Sequence, residues 1–187
     1  EYRVPYLAHA ALEPMNAVAS VTADGAELWA GNQAPDVLQG LAARLLEIAP
    51  EKVRVHSTWI GGAFGRRTYM DFALEAVALS RALGAPVKVI WSREDDTRHD
   101  HYRPAAMAAM RADFGADGKL LGWDARIVAP SVMTTMVDVM LPVMLPQWAP
   151  LGVGTVVKPL AAKYDPMLTE GVDSIPYAMP YLRVEGL

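Results

Sequence analysis

Two Asp-Gly pairs, each lying between two apolar runs, constrain the fold of this chain most strongly. Asp24-Gly25 separates residues 16–22 from 27–30, and Asp117-Gly118 separates residues 105–114 from 120–128. Asp-Gly between alternating apolar residues is typical of a tight hairpin turn, because both residues tolerate a positive φ. The sequence therefore predicts two antiparallel β-hairpins, one near each end of the first two thirds of the chain.

Between the hairpins the apolar spacing changes from helical to alternating and back. Residues 36–49 carry apolar side chains at helical spacing before Pro50, and residues 69–83 do so before Gly84. Residues 52–58 and 86–91 alternate or are β-branched, which favours strands. This order predicts an α+β fold with a mixed sheet, β-hairpins and two main amphipathic helices.

The tail of the chain has a different composition. Residues 130–187 hold eight of the 14 Pro and six of the 10 Met, and residues 139–157 carry no charge. Pro and Gly interrupt any membrane-spanning helix there, so we expect no transmembrane segment. We expect an irregular Pro/Met-rich segment over 130–187 that ends in a strand, in the same domain as an α+β part over 1–129. Another domain or subunit is expected to cover the apolar residues 140–148.

Composition excludes several classes of function. The net charge is -4 and no Lys/Arg cluster is present, which argues against a nucleic-acid partner. The chain has no Cys, and so it has no disulfide, thiolate zinc site, iron–sulfur cluster or cysteine nucleophile of its own. No Gly-x-Ser-x-Gly string supports a serine hydrolase. The chain starts at Glu1 with no leader, so we expect a fragment or a processed piece without a targeting signal.

The most distinctive local string is Trp-Ile-Gly-Gly-Ala-Phe-Gly-Arg-Arg over residues 59–67, between a predicted strand and a predicted helix. Glycines let the backbone approach a ligand with its N–H groups, and Arg66 and Arg67 add two cations. One interpretation is therefore an anion-binding loop. The other is a tight turn whose Arg pair is solvated. Neither the dinucleotide-binding nor the P-loop fingerprint occurs.

Three weaker patterns also contain candidate functional side chains. His9 and Glu13 have the helical spacing of two metal ligands, but Pro14 disfavours a helix, so we favour a structural His and a Glu that hydrogen-bonds a neighbouring loop. His99 and His101 have strand spacing, which fits either a metal pair or a polar strand entry. Residues 94–96 are acidic and are expected to form a solvated helix start after a Ser cap.

Taken together and in order, several strings resemble the large subunit of the molybdenum hydroxylases, the xanthine oxidase and aldehyde oxidoreductase family. They are Tyr-Leu-Ala-His-Ala-Ala-Leu-Glu-Pro-Met-Asn-Ala (6–17), Trp-Ala-Gly-Asn-Gln (29–33), Gly-Gly-Ala-Phe-Gly-Arg-Arg (61–67), Trp-Ser-Arg-Glu-Asp (91–95) and Tyr-Arg-Pro (102–104). The first and third are most similar to the isoquinoline 1-oxidoreductase beta subunit branch. The resemblance implies that all 187 residues belong to one stretch of the molybdopterin-binding region.

The resemblance implies a molybdopterin cofactor, usually the cytosine dinucleotide form in bacterial relatives, and hydroxylation of an aldehyde or N-heterocycle with oxygen from water. It assigns cofactor binding to Gly61, Gly62, Ala63, Phe64, Gly65 and Arg66. Ala63 stands where the family usually has a third Gly. Residues 66–68 replace the Gly-Lys-Glu of xanthine oxidases, so a purine substrate is not expected.

The resemblance also implies what lies elsewhere. The general-base Glu is expected beyond Leu187, so no catalytic or metal-ligating residue is predicted within this segment, and the fragment alone should be inactive. The expected partners are the rest of the same large subunit and a small iron–sulfur subunit. Periplasm and cytoplasm are not distinguished. The alternative is a standalone phosphate- or nucleotide-binding α+β module that uses the 61–67 loop, and a structural role for the uncharged tail is a further rival.

Overall fold

The computed structural model describes residues 1–146, 151–163 and 165–187. The strands are β1 (Asn16–Val21), β2 (Ala26–Ala30), β3 (Val53–Ser57), β4 (Val87–Ile90), β5 (Met107–Phe114), β6 (Leu120–Val128) and β7 (Tyr181–Gly186). The helices are α1 (Pro35–Leu46), α2 (Asp71–Leu83), α3 (Arg93–Arg98), α4 (Val132–Met144) and α5 (Gly154–Lys163). The α+β class is confirmed.

The chain forms two compact units. The first comprises Glu1–Arg103 and Val139–Leu151, and the second comprises Pro104–Asp138 and Gly152–Leu187. The composition boundary predicted between residues 129 and 130 falls within the second unit.

The first unit is built on a mixed four-stranded sheet of order β3-β2-β1-β4. Strand β1 is antiparallel to both β2 and β4, and β2 is parallel to β3. The first predicted hairpin is confirmed, with Val21 opposite Ala26 across the turn. A parallel pair needs a crossover, which α1 supplies between β2 and β3. The 61–67 loop follows β3 and precedes α2.

The core of the first unit lies between this sheet and helices α1 and α2. Small residues on the strands allow the helices to approach closely, and larger side chains such as Leu28, Leu38 and Phe72 are fully buried among them. The Ser80 hydroxyl accepts from the Val21 N–H (2.9 Å) and donates to the Ala85 carbonyl (2.8 Å). This buried serine therefore joins the end of α2 to the central strand.

The second unit contains a three-stranded sheet of order β5-β6-β7. Strand β6 is antiparallel to β5 and parallel to β7. The second predicted hairpin is confirmed, and its register shifts between Asp113 and Phe114. The predicted terminal strand is β7.

The prediction of an irregular tail is wrong, because α4 and α5 form within it despite Pro142 and Pro159. A proline inside a helix removes one backbone hydrogen bond, and here other contacts outweigh that cost. The Asp165 carboxylate accepts from the Met133 N–H (3.0 Å) in the first turn of α4. Farther along α4, Val139, Met140 and Val143 pack against the core of the first unit.

These contacts place part of the charge-free segment against the chain's own core. Residues 147 and 148 of the expected covered segment lie outside the described residues. No helix in the described part of the chain is both long and apolar enough to cross a membrane.

Candidate functional site

The loop between β3 and α2 is wound by three residues with positive φ: Gly62 (+98°), Phe64 (+53°) and Gly65 (+99°). A short 3₁₀ turn over Arg66–Thr68 follows, in which the Arg66 N–H donates to the Ala63 carbonyl (2.9 Å). Left-handed residues next to other conformations turn successive N–H groups toward one side, which makes a concave anion-binding surface. The sequence prediction of a ligand-approaching loop is consistent with this path.

Four consecutive backbone N–H groups of this loop have no hydrogen-bond acceptor among the described residues. Within residues 1–146, 151–163 and 165–187, the backbone N–H groups of Gly62, Ala63, Phe64 and Gly65 have no acceptor. The preceding Gly61 N–H does have one, since it donates to Glu13 Oε2 at 2.8 Å. Four consecutive N–H groups without an acceptor therefore follow the anchored Gly61. This stretch, residues 62–65, is called the donor segment below.

Arg67 is completely buried and ties the loop to two other segments. Its Nε donates to the Gly62 carbonyl (3.0 Å) and its Nη1 to the Gly31 carbonyl (3.1 Å). Its Nη2 donates to the Glu13 carbonyl (3.0 Å) and to Glu13 Oε2 (2.8 Å). Burial lowers the pKa of the Arg67 guanidinium, against the opposite influence of the Glu13 and Asp96 charges. The side chain acts as an internal brace.

Glu13 is held ionised by the same contacts. Burial alone would raise the pKa of its carboxyl, but the Gly61 N–H, the Asn16 amide and the Arg67 charge lower that pKa below its usual range. The backbone of Glu13 adds a hydrogen bond, because its N–H donates to the Gly61 carbonyl at 3.1 Å. The prediction that Glu13 hydrogen-bonds a neighbouring loop is confirmed, and that loop is the candidate site.

Arg66 is also buried, with 1% of its side chain exposed. Its Nη1 and Nη2 donate to the two Asp71 carboxylate oxygens at 2.8 and 2.9 Å. Its Nε lies 2.9 Å from Asp100 Oδ1, an ion pair whose angle is not that of a hydrogen bond. The solvated Arg pair of the turn interpretation is wrong. Both guanidinium groups are engaged by the chain's own carboxylates, and the assignment of Arg66 to cofactor binding stays a prediction.

Asp71 joins this network from the first turn of α2. Burial would raise the pKa of its carboxyl, but hydrogen bonds from His101 and Arg66 and the Arg66 charge lower that pKa to about 2. The Arg66 guanidinium also lies over the Trp91 ring, 5.3 Å from its centre. Two carboxylates and an aromatic face therefore enclose one cation.

The His9 side chain is largely buried and bonded within the protein, as the prediction of a structural histidine requires. Its side chain is 7% exposed, and its Nδ1 lies 3.1 Å from each oxygen of Asp100, which is 1% exposed. The His9 backbone N–H donates to the same carboxylate. Residues 1–11 contain no helix, so the metal-ligand spacing of His9 and Glu13 is not realised on a helix face.

His99 and His101 have different partners and do not form a metal pair. His101 stacks on Tyr69 with ring centres 3.9 Å apart, and its Nε2 is 3.4 Å from Asp71. His99 meets Trp91 edge-on at 6.3 Å. No cluster of three or more metal-ligating side chains occurs anywhere in the described ranges of the chain.

The acidic helix start is partly as predicted. Ser92 and Asp95 form a capping box at the start of α3, which confirms the Ser cap. Asp96 is not solvated, because it is buried and pairs with Arg93 Nη1 at 2.7 Å. A charge run in sequence does not show that one member turns inward.

Residues 1–145 match the family of molybdopterin cofactor-binding domains. The chain belongs to this family. The match includes all residues of the candidate site, from His9 to Arg103. The resemblance inferred from the ordered strings is confirmed.

Named relatives of this chain include an oxidoreductase subunit and a dehydrogenase. Isoquinoline 1-oxidoreductase subunit beta of Brevundimonas diminuta is 46% identical over 104 residues, which are 55% of this chain and 13% of the relative. A membrane-bound aldehyde dehydrogenase (pyrroloquinoline-quinone) of Gluconacetobacter polyoxogenes is 33% identical over 147 residues, 74% of this chain and 19% of the relative. The chain therefore spans less than a fifth of the length of either relative.

Solved structures agree with the family. Quinoline 2-oxidoreductase from Pseudomonas putida 86 matches with a TM-score of 0.51 at 25% identity, covering 67% of this chain and 16% of that one. CO dehydrogenase from Oligotropha carboxidovorans matches with a TM-score of 0.51 at 26% identity, covering 66% and 16%.

The donor segment of this molybdopterin-binding domain fits an anionic group. A Cβ built on Gly65 meets one heavy atom within 4 Å outside the adjacent residues, so the space in front of it is open. Phe64, which is 63% exposed, follows next to this space, and its carbonyl accepts from Arg103 Nη2 at 2.9 Å. Asp100 and Arg103 were not identified as site residues from the sequence. The spacing of His99 and His101 and the Tyr-Arg-Pro string, which contains Arg103, did point to this region.

Proposed function

We propose that this chain is part of a molybdopterin-dependent oxidoreductase that hydroxylates an aldehyde or an N-heterocycle with oxygen derived from water. One observation carries the proposal: the donor segment presents four consecutive unpaired N–H groups on a loop that two buried arginines hold in place. Donors fixed before the ligand arrives stabilise negative charge without a cost of reorganisation. Such a loop suits the anionic part of a molybdenum cofactor.

Each part of the loop has its own task in this proposal. The N–H groups of residues 62–65 bind anionic oxygens, and the glycines at 62 and 65 keep side chains out of the contact surface. The exposed Phe64 ring borders the substrate side. When bound, the molybdenum group accepts an electron pair from the substrate and supplies an oxygen that came from water. Gly61 orients the segment through its two hydrogen bonds with Glu13.

The proposal places the other components of the reaction outside this chain. A general-base Glu, the loops for a cytosine dinucleotide and a small iron–sulfur subunit lie outside this chain. The chain supplies one wall of the site, so alone it should neither retain the cofactor nor turn over substrate.

A standalone phosphate- or nucleotide-binding module is supported less well. That alternative needs Arg66 and Arg67 as cationic ligands of the phosphate, whereas their guanidinium groups are already paired with Asp71, Asp100 and Glu13. The free donors of this loop are backbone groups. Backbone donors without a free cation fit a large, multiply anchored cofactor better than a single exchangeable phosphate.

Metal analysis of the intact subunit, produced with its partner, tests the proposed function. We expect about one molybdenum per subunit, and incorporation of label from H₂¹⁸O into a hydroxylated aldehyde or N-heterocycle. A subunit that holds no molybdenum and hydroxylates neither class of substrate would contradict the proposal.

A further inference from the structure

One nitrogen atom borders the open space in front of Gly65. A Cβ built on Gly65 meets His9 Nε2 at 3.7 Å and no other heavy atom within 4 Å outside the adjacent residues. The His9 side chain is more than nine-tenths buried, yet Nε2 has no hydrogen-bond partner among the residues that the structure describes. Nε2 itself is accessible from this open space, and a polar atom on a largely buried side chain that has no protein partner is available to a ligand.

The other side of the imidazole is fully engaged. Nδ1 lies between the two oxygens of Asp100, and the His9 backbone N–H donates to the same carboxylate. Asp100 in turn pairs with Arg66, so the carboxylate cannot turn away. A carboxylate that holds one ring nitrogen fixes the orientation of the ring and leaves the other nitrogen for the functional contact.

Backbone strain concentrates at the same junction. The non-glycine residues with positive φ in the described chain are Ala10 (+45°), Glu47 (+59°) and Phe64 (+53°). Two of them, Ala10 and Phe64, are next to His9 and Gly65. Arg93 Nη2 donates to the Ala11 carbonyl (2.6 Å), and Arg103 Nη2 donates to the Phe64 carbonyl. Strain that several side chains hold in place clusters at ligand-binding sites.

We propose that His9 Nε2 hydrogen-bonds an anionic oxygen of the ligand that the donor segment holds. His9 is then a binding residue, and Asp100 and Arg66 are positioning residues that act through it. This inference rests on the proposed function, since the ligand is the molybdenum cofactor. It adds one side-chain contact to a site otherwise formed by backbone groups.

Two substitutions at His9 separate the two ring nitrogens. The amide of His9→Asn reaches the position of Nδ1, so it keeps the Asp100 contact and loses the Nε2 group. The amide of His9→Gln reaches the position of Nε2, so it keeps a polar group in front of Gly65 and loses the Asp100 contact. The intact subunit carrying each variant is purified, and the rate of molybdenum and phosphorus loss during dialysis and the thermal unfolding midpoint are measured.

We expect His9→Asn to unfold at nearly the wild-type midpoint and to release molybdenum and phosphorus about tenfold faster than wild type. His9→Gln should unfold at a lower midpoint and release both elements at a rate closer to wild type. Equal retention in wild type and both variants would overturn the inference. It would also be overturned if retention followed the unfolding midpoint, with His9→Gln losing more cofactor than His9→Asn, because His9 would then be only structural.

Failure of the proposed function can be told apart from failure of the His9 inference. If the wild-type subunit holds no molybdenum, the same proteins are titrated with inorganic phosphate. Phosphate binding that His9→Asn weakens about tenfold and His9→Gln weakens less would keep the His9 contact and assign it to a phosphate site. Phosphate binding that neither variant changes, or no binding at all, would overturn it.

Discussion

The two halves of the Gly61–Arg67 loop differ in how their polar groups are used. In the donor segment the backbone is open and its N–H groups are unpaired, whereas at Arg66 and Arg67 nearly every polar atom has a partner within the protein. The charged residues of the loop therefore serve the scaffold, and its uncharged residues keep the free N–H groups that we propose for ligand binding. Residue type alone suggests the reverse assignment. Substitutions in the two halves should accordingly affect different properties.

The largest expected effect is on stability, at Arg67. Arg67→Met should lower the free energy of unfolding by about 3 kcal/mol or more, because it leaves Glu13 and three carbonyl contacts without their donor. Arg54→Met is the control, because the Arg54 side chain is 73% exposed and lies 3.8 Å from Glu27. This substitution should change the free energy of unfolding by less than about 1 kcal/mol. Denaturant titration compares the two. Equal losses would mean that burial of Arg67 does not brace the loop.

The next effect is on the ligand, at Gly65. Gly65→Ala should cost about 1 kcal/mol of stability because φ is positive, and shift the donor segment enough to reduce turnover of the intact enzyme by roughly a hundredfold. Gly84→Ala is matched in strain, since Gly84 also has a positive φ (+64°) and no neighbour within 4 Å of the added Cβ, but it lies at the end of α2. Molybdenum content and turnover of both variants are measured. Normal values in Gly65→Ala would mean that the loop is only a turn.

A smaller effect concerns the dependence of stability on pH at Asp71. Its pKa is lowered in the folded chain from 3.8 to about 2, so its stabilising contribution is present above pH 4 and is lost as the pH falls toward 2. The contribution is on the order of 1 kcal/mol after screening of its exposed third. The difference in unfolding free energy between wild type and Asp71→Asn should therefore shrink between pH 5 and pH 2.5. A difference that is constant over this range would contradict the ion-pair assignment.

The smallest effect on the scaffold is expected at Phe64. Phe64→Ala removes an exposed ring and keeps the backbone, so molybdenum content should stay normal and stability should change by less than about 1 kcal/mol. The ratio of kcat/KM between a large N-heterocycle and a small aldehyde should shift about tenfold, because the ring borders the substrate side. Trp59→Ala serves as the exposed aromatic control. An unchanged ratio would remove Phe64 from the substrate surface.

Features determined by short stretches of sequence could be predicted. Asp24-Gly25 and Asp117-Gly118 specify their turns locally, and the apolar spacing before Pro50 and Gly84 specifies two helices. Helices α4 and α5 could not be predicted, because Pro142 and Pro159 break the local rule and contacts with distant residues compensate. Periodicity describes one element and carries no information about such contacts.

The loop of the candidate site could be predicted from the sequence, but the network of buried ion pairs that holds it could not. Glycines between a strand and a helix indicated an approach of the backbone to an anion, and ordered strings indicated the family. The burial of Arg66 and Arg67 depends on Asp100 and Glu13, which lie 34 and 54 residues away in sequence. Asp71 is a local partner of Arg66, but a carboxylate that is near in sequence does not by itself distinguish a braced guanidinium from a solvated one.

The contact between His9 and Asp100 spans 91 residues of sequence, and this distance determines when the site can exist. During synthesis the His9 segment and strand β1 leave the ribosome before Asp100, because the carboxylate that orients the imidazole is made after β4 and α3. Long-range contacts of this kind form late in folding, because closing the intervening chain costs entropy before the contact repays it. The contact between His9 and Asp100 can therefore form only after residue 100 has been translated, and a ligand that depends on the oriented imidazole would bind after that point.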